Sequence, residues 1–185
     1  MTRRIVQYGE AVLRAQGRRV ERVDEKIREL ADAMLLAMHE ANGVGLAAQQ
    51  VGEAVQLTVL DVSGVEDRPS TLEIYGVKMD PSAAMPLILL NPALKLGAET
   101  AMGTEGCLSF PEITAEIERA VWVSAEAETL DGKRIKLEAS GLLARALQHE
   151  VDHLNGILFI DRMSSATKAS LASRLKRLQK ETRRG

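Results

Sequence analysis

A single cysteine, Cys107, stands among the 185 residues, which excludes an intrachain disulfide framework and fits a reducing compartment. No apolar stretch approaches the ~18 residues that a bilayer-spanning helix needs. The first nine residues carry charge but no apolar run of the kind that a secretory signal has. A surplus of one charge is also missing. The 24 basic and 26 acidic residues leave a formal charge of −2 and a pI near 6.0, so nothing electrostatic points to DNA or to a membrane surface as a partner. Repeats and low-complexity segments are absent as well. What remains is a hydrophobic content of 45% over a length suited to one domain with a sizeable core, and the expected location is the cytoplasm.

Histidine is nearly as scarce as cysteine, with three in the chain. Two of them fall in Gln148-His149-Glu150-Val151-Asp152-His153, four residues apart with a carboxylate directly after the first. On a helix, side chains at i and i+4 lie one above the other, so His149 and His153 can grip one metal ion. Glu150, about 100° round the helix, can reach water there, as in the H-E-x-x-H pattern of metallohydrolases. The competing reading is a pair of surface histidines on an amphipathic helix. A metal needs a further ligand, and in so ligand-poor a chain Cys107 completes a Cys-His-His set most economically, with a fourth position open. His39 has no ligand-spaced neighbour and reads as structural.

Along the chain, Ile27, Leu30, Ala31, Met34, Leu35 and Met38 recur at helical spacing, predicting a helix over residues 24–39 with one buried stripe, an Asp24 cap and a stop at Asn42-Gly43. Residues 43–52, including Val44 and Gly45, have little side-chain bulk. They suit either a tight turn or close approach of a ligand to the backbone. Buried strands are predicted over 55–62 and over 87–90, the latter ending at Asn91-Pro92. Between them, residues 63–85 read as an excursion, with a short hairpin around 72–77 and no sign of chemistry. Cys107 is placed near an element end before Pro111. Strands over 113–117, 121–127 and 134–139, with an Asp131-Gly132 turn between the last two, predict an antiparallel meander.

Ser140 is positioned to cap a helix over 142–154. At 100° per residue, Arg145, Gln148, Asp152 and Asn155 form a polar arc, while Leu143, Leu147, Val151 and Leu154 form a core arc. Leu142, Ala146, His149 and His153 lie between, so the metal face looks toward a cleft. A short strand over 157–160 and a last helix over 164–180, ending in a basic tail, complete the chain.

Three stretches together resemble the peptide deformylase family: Gly43-Val44-Gly45-Leu46-Ala47-Ala48-Gln49-Gln50 is similar to its GxGxAAxQ motif, Glu105-Gly106-Cys107-Leu108-Ser109 to EGCLS, and residues 148–153 to QHExDH. The resemblance covers residues 4–163 and implies an α+β fold of antiparallel strands packed around a central metal-bearing helix. Residues 1–163 would then form the catalytic domain, and 164–185 a C-terminal helix and basic tail. The implied activity is removal of the formyl group from N-formyl-methionyl nascent peptides, releasing formate. The metal would be one divalent ion, Fe²⁺ foremost, with Zn²⁺ or Ni²⁺ able to occupy the site. The connection over 63–85 is longer than usual for the family, and Thr114 stands where many bacterial members have an arginine.

Hydrolysis of a formamide needs an activated water and stabilisation of the oxyanion formed on attack. Cys107, His149 and His153 would hold the metal, and Glu150 would serve as general base and then acid. By resemblance, the oxyanion would be met by the Gln50 side chain and the Leu108 backbone N–H. Ala146, one turn before His149, leaves space that Val44, Gly45 and Leu142 could wall for a methionine side chain, or it merely permits close helix packing. A zinc peptidase and a non-catalytic metal-binding module are the alternative functions. The basic tail raises the ribosome as a further partner.

Overall fold

A computed structural model describes residues 3–184. Its strands are β1 (Gly45–Ala47), β2 (Leu57–Leu60), β3 (Ser70–Ile74), β4 (Val77–Met79), β5 (Leu87–Leu96), β6 (Thr100–Cys107), β7 (Phe110–Ala120), β8 (Trp122–Glu128) and β9 (Arg134–Ser140). Its helices are α1 (Glu25–Glu40), the single turn α2 (Pro81–Ala84), α3 (Gly141–Leu154) and α4 (Ser165–Thr182). Seven strands form one antiparallel sheet in the order β1-β2-β5-β8-β9-β3-β4, while β6 and β7 form a separate ribbon. The fold is thus α+β, as expected, and α3 lies against the sheet with Leu143 and Leu147 fully buried beside Leu60, Leu89, Val123 and Leu137. Each such leucine contributes about 1.5–3 kcal/mol by leaving water.

The stripe on α1 buries Leu30, Ala31, Met34 and Met38 against β1 and β2, and the Asp24 carboxylate accepts from the backbone N–H of Ile27 at 3.0 Å. A third apolar cluster gathers Phe110, Ile113 and Ile117 of β7 with Phe159 and Ile160 and with Leu175 of α4. Among the described residues no helix is long and apolar enough to cross a membrane.

Several expectations are corrected. The strand over 87–90 does not stop at Asn91-Pro92 but runs on to Leu96 through a register shift between Leu90 and Ala93. Asn91 takes the left-handed conformation there (φ 51°) and turns its side-chain amide to both backbone groups of Val20, at 2.8 and 2.9 Å, so the pair marks a bulge rather than an end. The meander is only half correct: β8 and β9 pair, but β7 pairs with β6. Strand β6 escaped notice because Thr100, Ala101, Met102 and Thr104 are all exposed and show no buried period. Residues 159–161 form a 3-10 turn rather than part of a strand, while the hairpin in the 63–85 excursion exists as β3 and β4.

The start of α3 is also capped differently. Ser140 makes no cap; its hydroxyl meets that of Thr71, and the Ser70 hydroxyl instead accepts from the backbone N–H of Leu143 at 2.9 Å. Gly141 sits at φ 68°, and a Cβ on it would stand 2.0 Å from the carbonyl oxygen of Pro69. Only glycine fits where the excursion crosses the helix so closely.

Candidate functional site

His149 and His153 project from α3 as the i, i+4 spacing requires, with both rings buried, and β6 delivers Cys107 to them at its last residue. Sγ of Cys107 lies 3.3 Å from Nε2 of His153, which lies 3.2 Å from Nε2 of His149. The three donor atoms all fall within 4.8 Å of one another.

Glu105 fixes this arrangement. Two residues before Cys107 on β6, it shares the strand face, and its Oε1 stands 2.9 Å from Nδ1 of His149. The imidazole proton engaged there leaves Nε2 to turn its lone pair inward. Glu105 in turn receives two bonds from Arg119, at 2.9 and 3.0 Å, and one from Arg145 at 2.8 Å. Arg119 continues to Asp152, which Arg162 clamps from the other side at 2.8 and 3.1 Å. Of the polar arc on α3, Asn155 faces water and Arg145 is half-buried, but the middle of the arc does not face water. Asp152 and Gln148 are buried, and Gln148 pins the helix to the end of β7 by bonding both the N–H and the carbonyl of Ala120, each at 3.0 Å. Glu105 and Arg119 went unassigned in the sequence, although period 2 on a strand ending at Cys107 points to Glu105.

Burial disfavours charge on both imidazoles, but contacts with Cys107 and Glu105 outweigh it at His149, whose pKa is held well above its ordinary value. His153, with burial and the neighbouring His149 both against it, is held well below. A sulfur and two imidazole nitrogens converge there, a set of donors suited to a divalent metal ion. Burial also pushes the Glu150 carboxyl up to about 7. Its Oε2 is fully buried without a hydrogen-bond partner among the described residues, as expected of a group kept for a ligand. The Glu105 carboxyl goes the other way: burial would raise it, but His149 and Arg119 hold it well below the usual carboxylate range.

Gln50 lies in the 3-10 turn that follows β1, so the glycine-rich stretch is a short strand and a turn. The backbone N–H of Ala47 donates to its Oε1 at 2.9 Å, which directs the amide nitrogen toward Ser109 Oγ at 3.2 Å and Cys107 Sγ at 3.6 Å. A cavity of about 440 Å³ opens over this group. Val44, Gly45, Gln50, Leu108, Leu142, Ala146, His149, Glu150 and Cys107 all line it, whereas His153 lies beneath and His39 bonds Asp61 elsewhere, at 2.9 Å. Arg68 and Thr114 line it too. The excursion, read as free of chemistry, therefore brings a charged side chain to the cavity.

The sequence profile of polypeptide deformylases matches residues 2–169. A peptide deformylase of Opitutus terrae is 43% identical over 185 residues, covering 99% of this chain and 96% of that protein. Among solved structures, a plant peptide deformylase PDF1B superposes with a TM-score of 0.83 at 37% identity, covering 96% of this chain and 89% of that one. The peptide deformylase of Thermus thermophilus gives 0.82 at 34% identity, covering 98% and 99%. With motifs, fold and donor set in agreement, the chain belongs to the polypeptide deformylase family, metal-dependent hydrolases that remove the formyl group from the N-terminus of nascent polypeptides.

Proposed function

We propose that this chain hydrolyses the formamide of N-formyl-methionyl chain ends with Cys107, His149 and His153 as metal ligands and Glu150 as proton carrier. The observation that carries the reading is the meeting of Cys107 Sγ with the two Nε2 atoms at the floor of a cavity in which the Glu150 carboxylate has an unpartnered oxygen. When bound, a divalent ion supplies Lewis acidity for water and carbonyl; we assign Fe²⁺ as the resident ion on family resemblance, with Zn²⁺ or Ni²⁺ able to replace it.

Glu150 takes a proton from the attacking water and returns it to the leaving amine. A pKa raised by burial suits that exchange near neutral pH. Gln50, its amide oriented by Ala47, donates to the oxyanion together with the backbone N–H of Leu108; one such donor is worth about 2.7–4 kcal/mol in the barrier. Val44, Gly45, Leu142 and Ala146 receive the methionine side chain. We assign the chemistry to residues 1–163. We assign residues 164–185, of which Gly185 lies outside the described residues, to a C-terminal segment made of α4 and a basic tail, whose exposed Lys176, Arg177, Lys180, Arg183 and Arg184 offer a basic surface to the ribosome. The setting is the cytoplasm, where nascent chains emerge. The reading is tested by metal analysis of anaerobically purified protein with formate release from formyl-Met-Ala measured on the same sample. A stoichiometric metal with formate release is expected; metal without release contradicts the assignment.

A further inference from the structure

The connection leading into β3 ends in Arg68-Pro69-Ser70, and it is held where it meets α3. The Pro69 carbonyl accepts from the backbone N–H of Leu142 at 3.3 Å, and the Ser70 hydroxyl accepts from that of Leu143 at 2.9 Å. Arg68 precedes a proline, which restricts its backbone to extended forms. Its side chain is therefore rooted at a fixed point beside Leu142, although the guanidinium is exposed and lines the cavity.

The other charged groups in the wall are differently placed. Glu105 and Arg145 are joined to one another, Arg145 also bonds the carbonyls of Ala101 and Ile117, and Glu150 is buried beside the histidines. Among the described residues lining the cavity, the exposed charges are Arg68 and, on β7, Glu112. Thr114, also on β7, contributes none. The cavity wall thus carries an exposed cation from the excursion and an exposed anion from the ribbon.

We propose that Arg68 selects among formyl-methionyl chains by pairing with a carboxylate on one of the residues that follow the methionine. It rests on reading the cavity as the site of formyl-methionyl ends. A planar guanidinium matches a carboxylate with two parallel bonds, and its fixed root lowers the entropy lost on pairing. Glu112 opposes an acidic residue on its own side, so the preference depends on which residue of the peptide carries the charge.

The test compares kcat/KM of the metal-loaded protein on formyl-Met-Ala-Asp amide and formyl-Met-Ala-Lys amide, and on the pair with the charge one residue earlier. In one of the two pairs the Asp:Lys ratio should fall about two- to fivefold in Arg68→Gln, as an exposed ion pair allows. In that pair it should fall further in Arg68→Glu and be retained in Arg68→Lys. Raising salt from about 0.05 to about 0.5 M should lower the wild-type ratio in that pair, whereas in Arg68→Gln, where Glu112 is the exposed charge left, the ratio should not fall. Ratios that are the same in wild type, Arg68→Gln and Arg68→Glu would overturn the proposal, as would a wild-type ratio insensitive to salt, which needs no variant to fold. Absence of formate from every peptide would instead overturn the underlying site assignment.

Discussion

The Cα of Gly45 faces the Glu150 carboxylate so closely that a Cβ built on it would stand 2.6 Å from Oε1 and 2.9 Å from Cγ. Strand β1 and helix α3 are packed around that absence of a side chain. Gly45→Ala should therefore push the carboxylate aside without touching a metal ligand. Since a displacement near 1 Å can cost about a hundredfold in rate, kcat for formyl-Met-Ala should fall at least about tenfold at unchanged metal content. A loss confined to KM would mean that Gly45 acts only on substrate binding.

Glu105→Gln should loosen the metal. The neutral amide no longer balances Arg119 and Arg145, nor holds the His149 proton with a full charge. Outer partners of metal-bound histidine typically matter about 10–100-fold in affinity, which competition against a chelator would measure. Breaking a buried ion pair also destabilises by about 3–5 kcal/mol, so a thermal melt should drop in parallel. Unchanged affinity would remove Glu105 from the support of His149.

Ser70→Ala tests the cap that reaches α3 from outside the helix. Loss of such a cap costs about 0.5–2 kcal/mol, and in a domain this size each kcal/mol lowers Tm by about 2–4 °C. Ser140→Ala, by contrast, removes no cap bond. Equal effects of the two would contradict the structure.

These elements show what the sequence could and could not reveal. Helix α1 was legible because one face is buried and the other is not, and the metal face of α3 because i and i+4 coincide on any helix. The polar arc of α3 was legible but not the burial of its middle, because Arg119, distant in sequence, supplies Asp152 with a buried partner. Strand β6 carries Cys107 yet has almost no apolar period, since its ribbon with β7 leaves one side open. The bulge at Asn91 and the arrival of Arg68 at the cavity depend on tertiary contacts that no local pattern records.

Ala146→Phe should fill the space one turn before His149. Burial of a methionine-sized side chain is worth ~1.5–3 kcal/mol, so kcat/KM for formyl-Met peptides should fall roughly ten- to a hundredfold, while a formyl-Gly peptide changes little. Equal losses on both would mean that the substitution damaged the helix rather than the methionine site.

The most direct measurement concerns Glu150, whose unpartnered buried oxygen beside the two histidines is the centre of the account. Metal content and formate release from formyl-Met-Ala should be determined on one preparation of Glu150→Gln and one of wild type. The account predicts equal metal in both, because Cys107, His149 and His153 remain, and a fall in kcat of about 10²–10⁴ from the loss of proton transfer. Near-wild-type turnover at equal metal content would contradict it.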